Sequence, residues 1–318
     1  MTNRVDIKRT AQILLGRDDI LLLCHKNPDG DTLGSAAALC HGLISLGKRC
    51  AVCCHNTIPE KYDHLHIPVY DGSFPVRYTV SVDVAGENLL GDSLSCYAGN
   101  IDLCVDHHAS NSRYAQNLCL YSDRPAAAQI IYELLKEMQV EITPFIADCI
   151  YTGLITDTGC FRYSSTTPET LETGARLMRL GADHKGLVEK FFMSKSRKSV
   201  QLEQYALNNL EYYFDGKFAF LPLTSQALET IQPLPTDIDG LSSMARDFEG
   251  VQVSVLAKQT GENRYKISVR TGEEADACRI AAAFGGGGHL RAAGCEICGD
   301  MEYVRHSILK EVERSLCR

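Results

Sequence analysis

Three apolar segments of this chain run straight into carboxylates and imidazoles. Leu21 to Cys24 leads into His25-Lys-Asn-Pro-Asp29-Gly-Asp31, Thr79 to Val82 into Asp83, and Ile101 to Val105 into Asp106-His107-His108. Each run reads as a buried strand, and open α/β sheets place their ligands beyond the carboxyl ends of such strands. Folded side by side, the segments gather negative charge that is tolerable away from water only with bound cations. The pattern points to a metal-dependent hydrolase.

Alternation of strand-like and helix-like segments fills the first half. A helix is expected over 33–46 and a strand over 50–54, then helices over 126–138, 143–154, 170–180 and 185–192. This predicts an α/β fold with a doubly wound parallel sheet. The basic stretch Ser194-Lys-Ser-Arg-Lys-Ser199 interrupts the helices. Beyond it, strands over 217–221, 251–257 and 265–270 and helices over 276–284 and 301–316 describe a smaller α/β unit. The expected organisation is a first domain over 1–190, a linker over 191–205 and a second domain over 206–318.

Composition sets outer limits. At 318 residues with 45% hydrophobic content, the chain can build two cores without disulfide staples. Its 14 cysteines lie in apolar contexts, with neither a secretory leader nor disulfide-scaffold spacing, so a reducing, cytoplasmic setting is expected. No apolar stretch reaches membrane-span length, and a net charge of −8 disfavours long duplex nucleic acid and anionic lipid as partners.

The chemistry is carried by six residues. Pro28 and Gly30 bend the first loop so that Asp29 and Asp31 can face one site; the plain alternative is a turn residue and a helix N-cap. Asp83 alone is an ordinary strand end. Asp106-His107-His108 is harder to read as a surface turn, because it follows a run with the character of sheet interior. Gly153-Leu-Ile-Thr-Asp157-Thr-Gly159 adds a carboxylate at the end of an apolar helix, between glycines that permit close approach. Together these segments offer two histidines and four aspartates, a nitrogen and oxygen set without sulfur, suited to Mn²⁺ or a similar divalent ion rather than structural zinc. Two ions about 4 Å apart would activate a bridging water and stabilise both oxygens at phosphorus, so the implied reaction is phosphoester hydrolysis.

His25-x-x-x-Asp29-x-Asp31, Asp83, Asp106-His107-His108 and Asp157, in that order, resemble the DHH phosphoesterase superfamily. Gly286-Gly-Gly-His289-x-x-Ala-Ala-Gly294 resembles its associated C-terminal domain, so the likeness spans nearly the whole chain. It implies that His25 and Asp29 bind one ion, Asp31, His107 and Asp157 the other, and that Asp83 bridges both. Asp106 would orient the ligands, and His108 would bond the scissile phosphate or its leaving oxygen. Two Mn²⁺ ions are the implied cofactor, with Mg²⁺ or Co²⁺ as substitutes. The second domain would bind substrate across an interdomain cleft, through Arg270, the backbone N–H groups of Gly286, Gly287 and Gly288, and His289. Asn111 resembles a position near the substrate, and Arg291 is a further candidate that also reads as a solvated side chain. Just downstream of Asn111, Tyr121-Ser-Asp-Arg-Pro-Ala departs from the family's acidic pattern.

Among family members, a two-domain chain without nucleic-acid-binding modules or transmembrane segments resembles the stand-alone bacterial type. That implies hydrolysis of very short oligonucleotides and of pAp. The alternatives are a linear or cyclic dinucleotide phosphodiesterase and a nucleotide-binding regulator without turnover; a homodimer is common in the family. Three other signals are set aside. Cys50-x-x-Cys53 and Cys295-x-x-Cys298 have zinc-knuckle spacing but read as strand interior. Ser196-Arg-Lys198 resembles a motif of the manganese pyrophosphatases, yet lies at the junction rather than in the C-terminal half. His64 and His66 read as surface or core-edge residues.

Overall fold

Asn3–Arg4 (β1), Ile20–Leu23 (β2), Cys50–Cys53 (β3), Tyr78–Val82 (β4), Leu103–Asp106 (β5) and Asn117–Leu120 (β6) form one parallel sheet in the order β1-β6-β5-β4-β2-β3. They belong to the first of two units, Met1–Ser194 and Lys195–Arg318, in a computed structural model that describes residues 2–238, 240–288 and 290–316. The chain steps from β2 outward to β3 and then crosses to β4 on the other side of β2. The loops after β2 and β4 therefore flank the switch point where sheets of this kind bind ligands.

β2 is apolar throughout because both its faces are covered. Ile20 and Leu22 join a core with the helices Ile7–Leu15 (α1), Gly30–Ser45 (α2), Ala127–Glu137 (α3) and Pro144–Asp157 (α4). Leu21 and Leu23 point the other way, as the two-residue strand period requires, into a second core under Phe74, Leu90 and Leu94. That second face is closed by loops and short 3₁₀ turns, Glu87–Leu89 and Asp92–Tyr97.

α2 and α4 cross with their backbones nearly touching. A Cβ on Gly34 would stand 2.4 Å from the Cys149 carbonyl oxygen and 2.9 Å from Gly153 N, so the crossing requires glycine. α4 opens with Thr143 as N-cap and Pro144 in its first turn. It stops just past Asp157, where Gly159, Cys160 and Phe161 take φ values of 56°, 57° and 63°. Cys160 N donates back to Ile155 O at 2.7 Å, closing the helix end.

In the second unit, Glu211–Tyr213 (β7), Phe218–Leu223 (β8), Val253–Gly261 (β9), Arg264–Thr271 (β10), Gly287–Gly288 (β11) and Ala292–Cys298 (β12) form a mixed sheet in the order β11-β12-β10-β9-β8-β7. The helices Ala277–Ala282 and Met301–Leu316 cover one face through Ile280, Val304, Ile308 and Val312. Residues 191–205, expected as a linker, hold the end of the π turn Glu189–Met193 and most of the helix Arg197–Asn209. Ser196 caps that helix by accepting from Ser199 N, and Leu202 and Ala206 bury against Leu221 and Leu223 of β8. The basic, polar composition of its first turn hid this four-residue apolar spacing. Among the described residues, no helix is long and apolar enough to cross a membrane.

Candidate metal centre

The loop after β2 delivers two carboxylates by different means. Asp29 is the N-cap of α2, its Oδ1 accepting from Asp31 N at 3.0 Å and Thr32 N at 3.1 Å. The cap reading thus belongs to Asp29, not Asp31. Asp31 lies in the first turn of α2 and reaches the start of α3, accepting from Ala127 N at 2.6 Å and Ala128 N at 2.9 Å. α3 has no side-chain cap of its own at Ala126, so Asp31 satisfies two N–H groups the helix leaves open.

Asp83 follows β4 with φ 61°, a left-handed backbone that aspartate tolerates better than most side chains. Its N–H still bonds Val105 O at 2.9 Å, so the strand holds it to the point of departure. Asp106 ends β5 fully buried and accepts from His107 N at 2.8 Å, His108 Nδ1 at 2.8 Å and Asn111 Nδ2 at 2.7 Å. His107 Nδ1 donates to the carbonyl of Arg124 at 3.2 Å, which turns Nε2 toward the aspartates.

These elements bring the six ligands named from the sequence into one cluster. His25 Nε2 lies 3.7 Å from Asp29 Oδ1 and 3.8 Å from Asp83 Oδ2. His107 Nε2 lies 3.3 Å from Asp83 Oδ1, 3.5 Å from Asp157 Oδ2 and 3.8 Å from Asp31 Oδ2. Two triads, His25-Asp29-Asp83 and Asp31-His107-Asp157, each have donor atoms within 4.8 Å of one another. Asp83 Oδ1 is buried without a hydrogen bond, with His107 Nε2 at 3.3 Å and His108 Nδ1 at 3.5 Å as its ionic neighbours. A buried, orphaned carboxylate oxygen between nitrogen and oxygen donors fits a divalent cation.

Crowding shows in the proton affinities. Burial opposes the His25 imidazolium, but the hydrogen bond and charge of Asp29 and the charge of Asp83 outweigh it and raise His25 to about 9. Burial likewise opposes charge on His107, yet Asp83, Asp31 and Asp157 raise it to about 11. Burial, then repulsion from Asp83, lifts Asp31 to about 7. The crowded carboxylates hold protons on their imidazole neighbours, and a bound cation would compete with those protons.

Other expected site residues fare differently. Asn111 is buried, with Nδ2 on Asp106 and Oδ1 accepting from Arg113 N at 2.7 Å, and so steadies Asp106. Gly287–Gly288 is an edge strand paired with Gly294 and Ala293, not an open nest. A Cβ on Gly286 would stand 2.2 Å from Gly294 O, so that glycine serves close packing. Arg291 is not a solvated side chain; Nη1 donates to Gly272 O and, at 2.9 Å, to Ala275 O. Arg270, next to last in β10, is half-buried, and His289 lies outside the described residues. Cys50 and Cys53 are in β3, and Cys295 and Cys298 in β12, as strand residues. The sequence reading missed the Arg124 carbonyl and the Ala127 and Ala128 N–H groups, because backbone atoms carry no residue signature.

A parallel sheet with carboxylates and imidazoles converging on its carboxyl edge, followed by a separate mixed-sheet unit, is the build of an α/β phosphoesterase. Comparison with known proteins narrows this. The model of the DHH family, N-terminal domain, matches residues 19–154, and that of the DHHA1 domain matches residues 232–316. The chain is 30% identical, over 94% of its length and 90% of the relative's, to the bifunctional oligoribonuclease and PAP phosphatase NrnA of Thermus thermophilus. It is 24% identical to the Bacillus subtilis protein of the same name, with 95% of each covered. Among solved structures, an exopolyphosphatase-related protein from Bacteroides fragilis superposes with a TM-score of 0.86 at 26% identity, covering 98% of this chain and 95% of that one. The chain belongs to the DHH family of phosphoesterases.

Proposed function

We propose that this phosphoesterase hydrolyses very short oligonucleotides and pAp with two Mn²⁺ ions. The observation that carries the reading is the placement of Asp83, whose Oδ2 faces His25 and whose Oδ1 faces His107. One carboxylate facing both imidazoles suits two ions: His25 and Asp29 would hold one, Asp31, His107 and Asp157 the other, and Asp83 both. When bound, the ions supply positive charge for the oxygens at phosphorus and lower the pKa of the attacking water. Asp106 fixes His108 through Nδ1, and His108 bonds the scissile phosphate or its leaving oxygen. The second unit grips the terminal phosphate and base through Arg270 and His289. The substrate class is supported by the names of the two relatives, which match this chain along nearly its whole length.

The test is a substrate panel of pAp, linear and cyclic dinucleotides, and RNA and DNA oligomers up to about ten nucleotides. It is run on chelator-treated enzyme resupplied with Mn²⁺ or Mg²⁺ at equal free concentration. Expected are better restoration by Mn²⁺, since imidazole ligands favour the softer ion, turnover of pAp, and kcat/KM falling with length. A net charge of −8 gives a longer polyanion no favourable track. Rates that rise with length and drop steeply with salt would indicate a processive exonuclease instead.

A further inference from the structure

The segment Tyr121–Ala126, where the sequence leaves the family pattern, and the start of α3 that follows it serve two ligands of one ion position. Arg124 O accepts the His107 Nδ1 proton, and three residues on the Ala127 and Ala128 N–H groups hold both oxygens of Asp31. Between these contacts the Arg124 side chain folds back onto α3. Its Nε and Nη2 donate to the two carboxylate oxygens of Glu133 at 2.9 and 3.4 Å, and its Nη1 to Asp123 at 2.8 Å. The guanidinium lies 5.7 Å from the Tyr121 ring centre. Arg124 N donates to Tyr121 O at 3.1 Å, and Tyr121 N to Asp106 O at 3.2 Å, so the segment is tied at both ends.

Glu133 belongs to the helix whose first turn holds Asp31. A forked guanidinium–carboxylate pair fixes orientation as well as distance. It therefore sets the carbonyl that aims His107 against the helix start that aims Asp31. A partly exposed ion pair adds little to fold stability by itself, and these side chains are 25% and 28% exposed. Its effect belongs to ligand geometry.

We propose that the Arg124–Glu133 pair is a positioning device for the ion position made by Asp31, His107 and Asp157. The inference rests on the metal-centre reading above. It assigns a role to two side chains outside the proposed ligand set.

The experiment titrates metal-stripped, full-length protein with Mn²⁺ in a calorimeter, comparing wild type with Arg124→Ala, Arg124→Lys, Glu133→Gln and the Arg124→Ala/Glu133→Gln double variant. Wild type is expected to bind two ions. In Arg124→Ala and Glu133→Gln one step weakens by about 10- to 100-fold while the other holds. Arg124→Lys falls between, and the double variant is no worse than either single one. The metal-free Tm moves little, the half-activating Mn²⁺ concentration rises, and the substrate KM is unchanged. Should Arg124→Ala fail to fold, Arg124→Lys and Glu133→Gln carry the test. Variant isotherms that superimpose on a two-ion wild-type isotherm, or two steps weakened equally, overturn the positioning role alone. A wild type that binds no ion overturns the metal-centre reading and this inference with it.

Discussion

Gly153 rests against Asp31: a Cβ at position 153 would stand 2.8 Å from Asp31 Oδ1 and 2.7 Å from the Ala128 Cβ. The α2–α4 crossing and the carboxylate that reaches from α2 to α3 are therefore one packing problem. Gly153→Ala is expected to destabilise the protein by about 1–3 kcal/mol through overpacking. It should also weaken divalent-ion binding, because Asp31 must shift. Thermal unfolding and a Mn²⁺ isotherm on the same variant check this, and a normal isotherm would separate the crossing from the site.

Asp83 combines a left-handed backbone with the central ligand position, so the substitution chosen matters. Asp83→Ala removes the carboxylate and also places alanine at φ 61°, where a side chain without a local hydrogen-bonding group is strained. Asp83→Asn keeps the backbone preference and removes only the charge. Both variants are expected to lose turnover, with Asp83→Asn retaining a wild-type circular dichroism spectrum. Near-normal rates in Asp83→Asn would contradict the bridging role.

The pH dependence has a definite sign. In the metal-free protein His25 and His107 are raised from 6.5 to about 9 and about 11, and Asp31 from 3.8 to about 7. A group raised in the folded state contributes stability that is full below its unfolded value and is lost as pH climbs through its folded value. The histidines thus stop stabilising the metal-free protein between about pH 6.5 and 11, and Asp31 does so between about pH 4 and 7. Cation binding must displace these protons, so Mn²⁺ uptake at pH 7 is expected to release at least about two protons per chain, one from each histidine, and to tighten as pH rises. Calorimetry in two buffers of different ionisation enthalpy reads the release directly. A binding heat that does not depend on the buffer would contradict it.

The sequence was most legible where an apolar run ended in charge, because burial of the run fixes where the charge must emerge. His25 and Asp83 follow β2 and β4 in this way and Asp106 ends β5; the structure gathers His25 and Asp83 with Asp29, Asp31, His107 and Asp157, and sets Asp106 against His108. Side-chain direction was not legible: Asn111 is three residues past His108, yet its amide turns inward to Asp106. Pairing partners were equally hidden. The glycines at 286–288 announce permissive backbone, but only the fold reveals that β12 lies against them. α4 runs three residues past its expected end at Leu154, because the polar Thr156 and Asp157 broke an apolar pattern that the helix itself continues. Thr156 satisfies its hydroxyl within the helix, on Thr152 O at 2.8 Å.

The left-handed turn at Gly159–Phe161 acts as an end stop on the metal centre. Thr158 Oγ1 donates to Leu154 O at 2.6 Å and accepts from Phe161 N at 3.0 Å, so the last turn of α4 neither frays nor lengthens. Beyond it, residues 162–165 are exposed. Arg162 Nε donates to Gly159 O at 2.7 Å, and Arg162 N and Tyr163 N both donate to Thr158 O at 3.0 Å, so this exposed stretch clasps the joint and holds Asp157 in register from the far side.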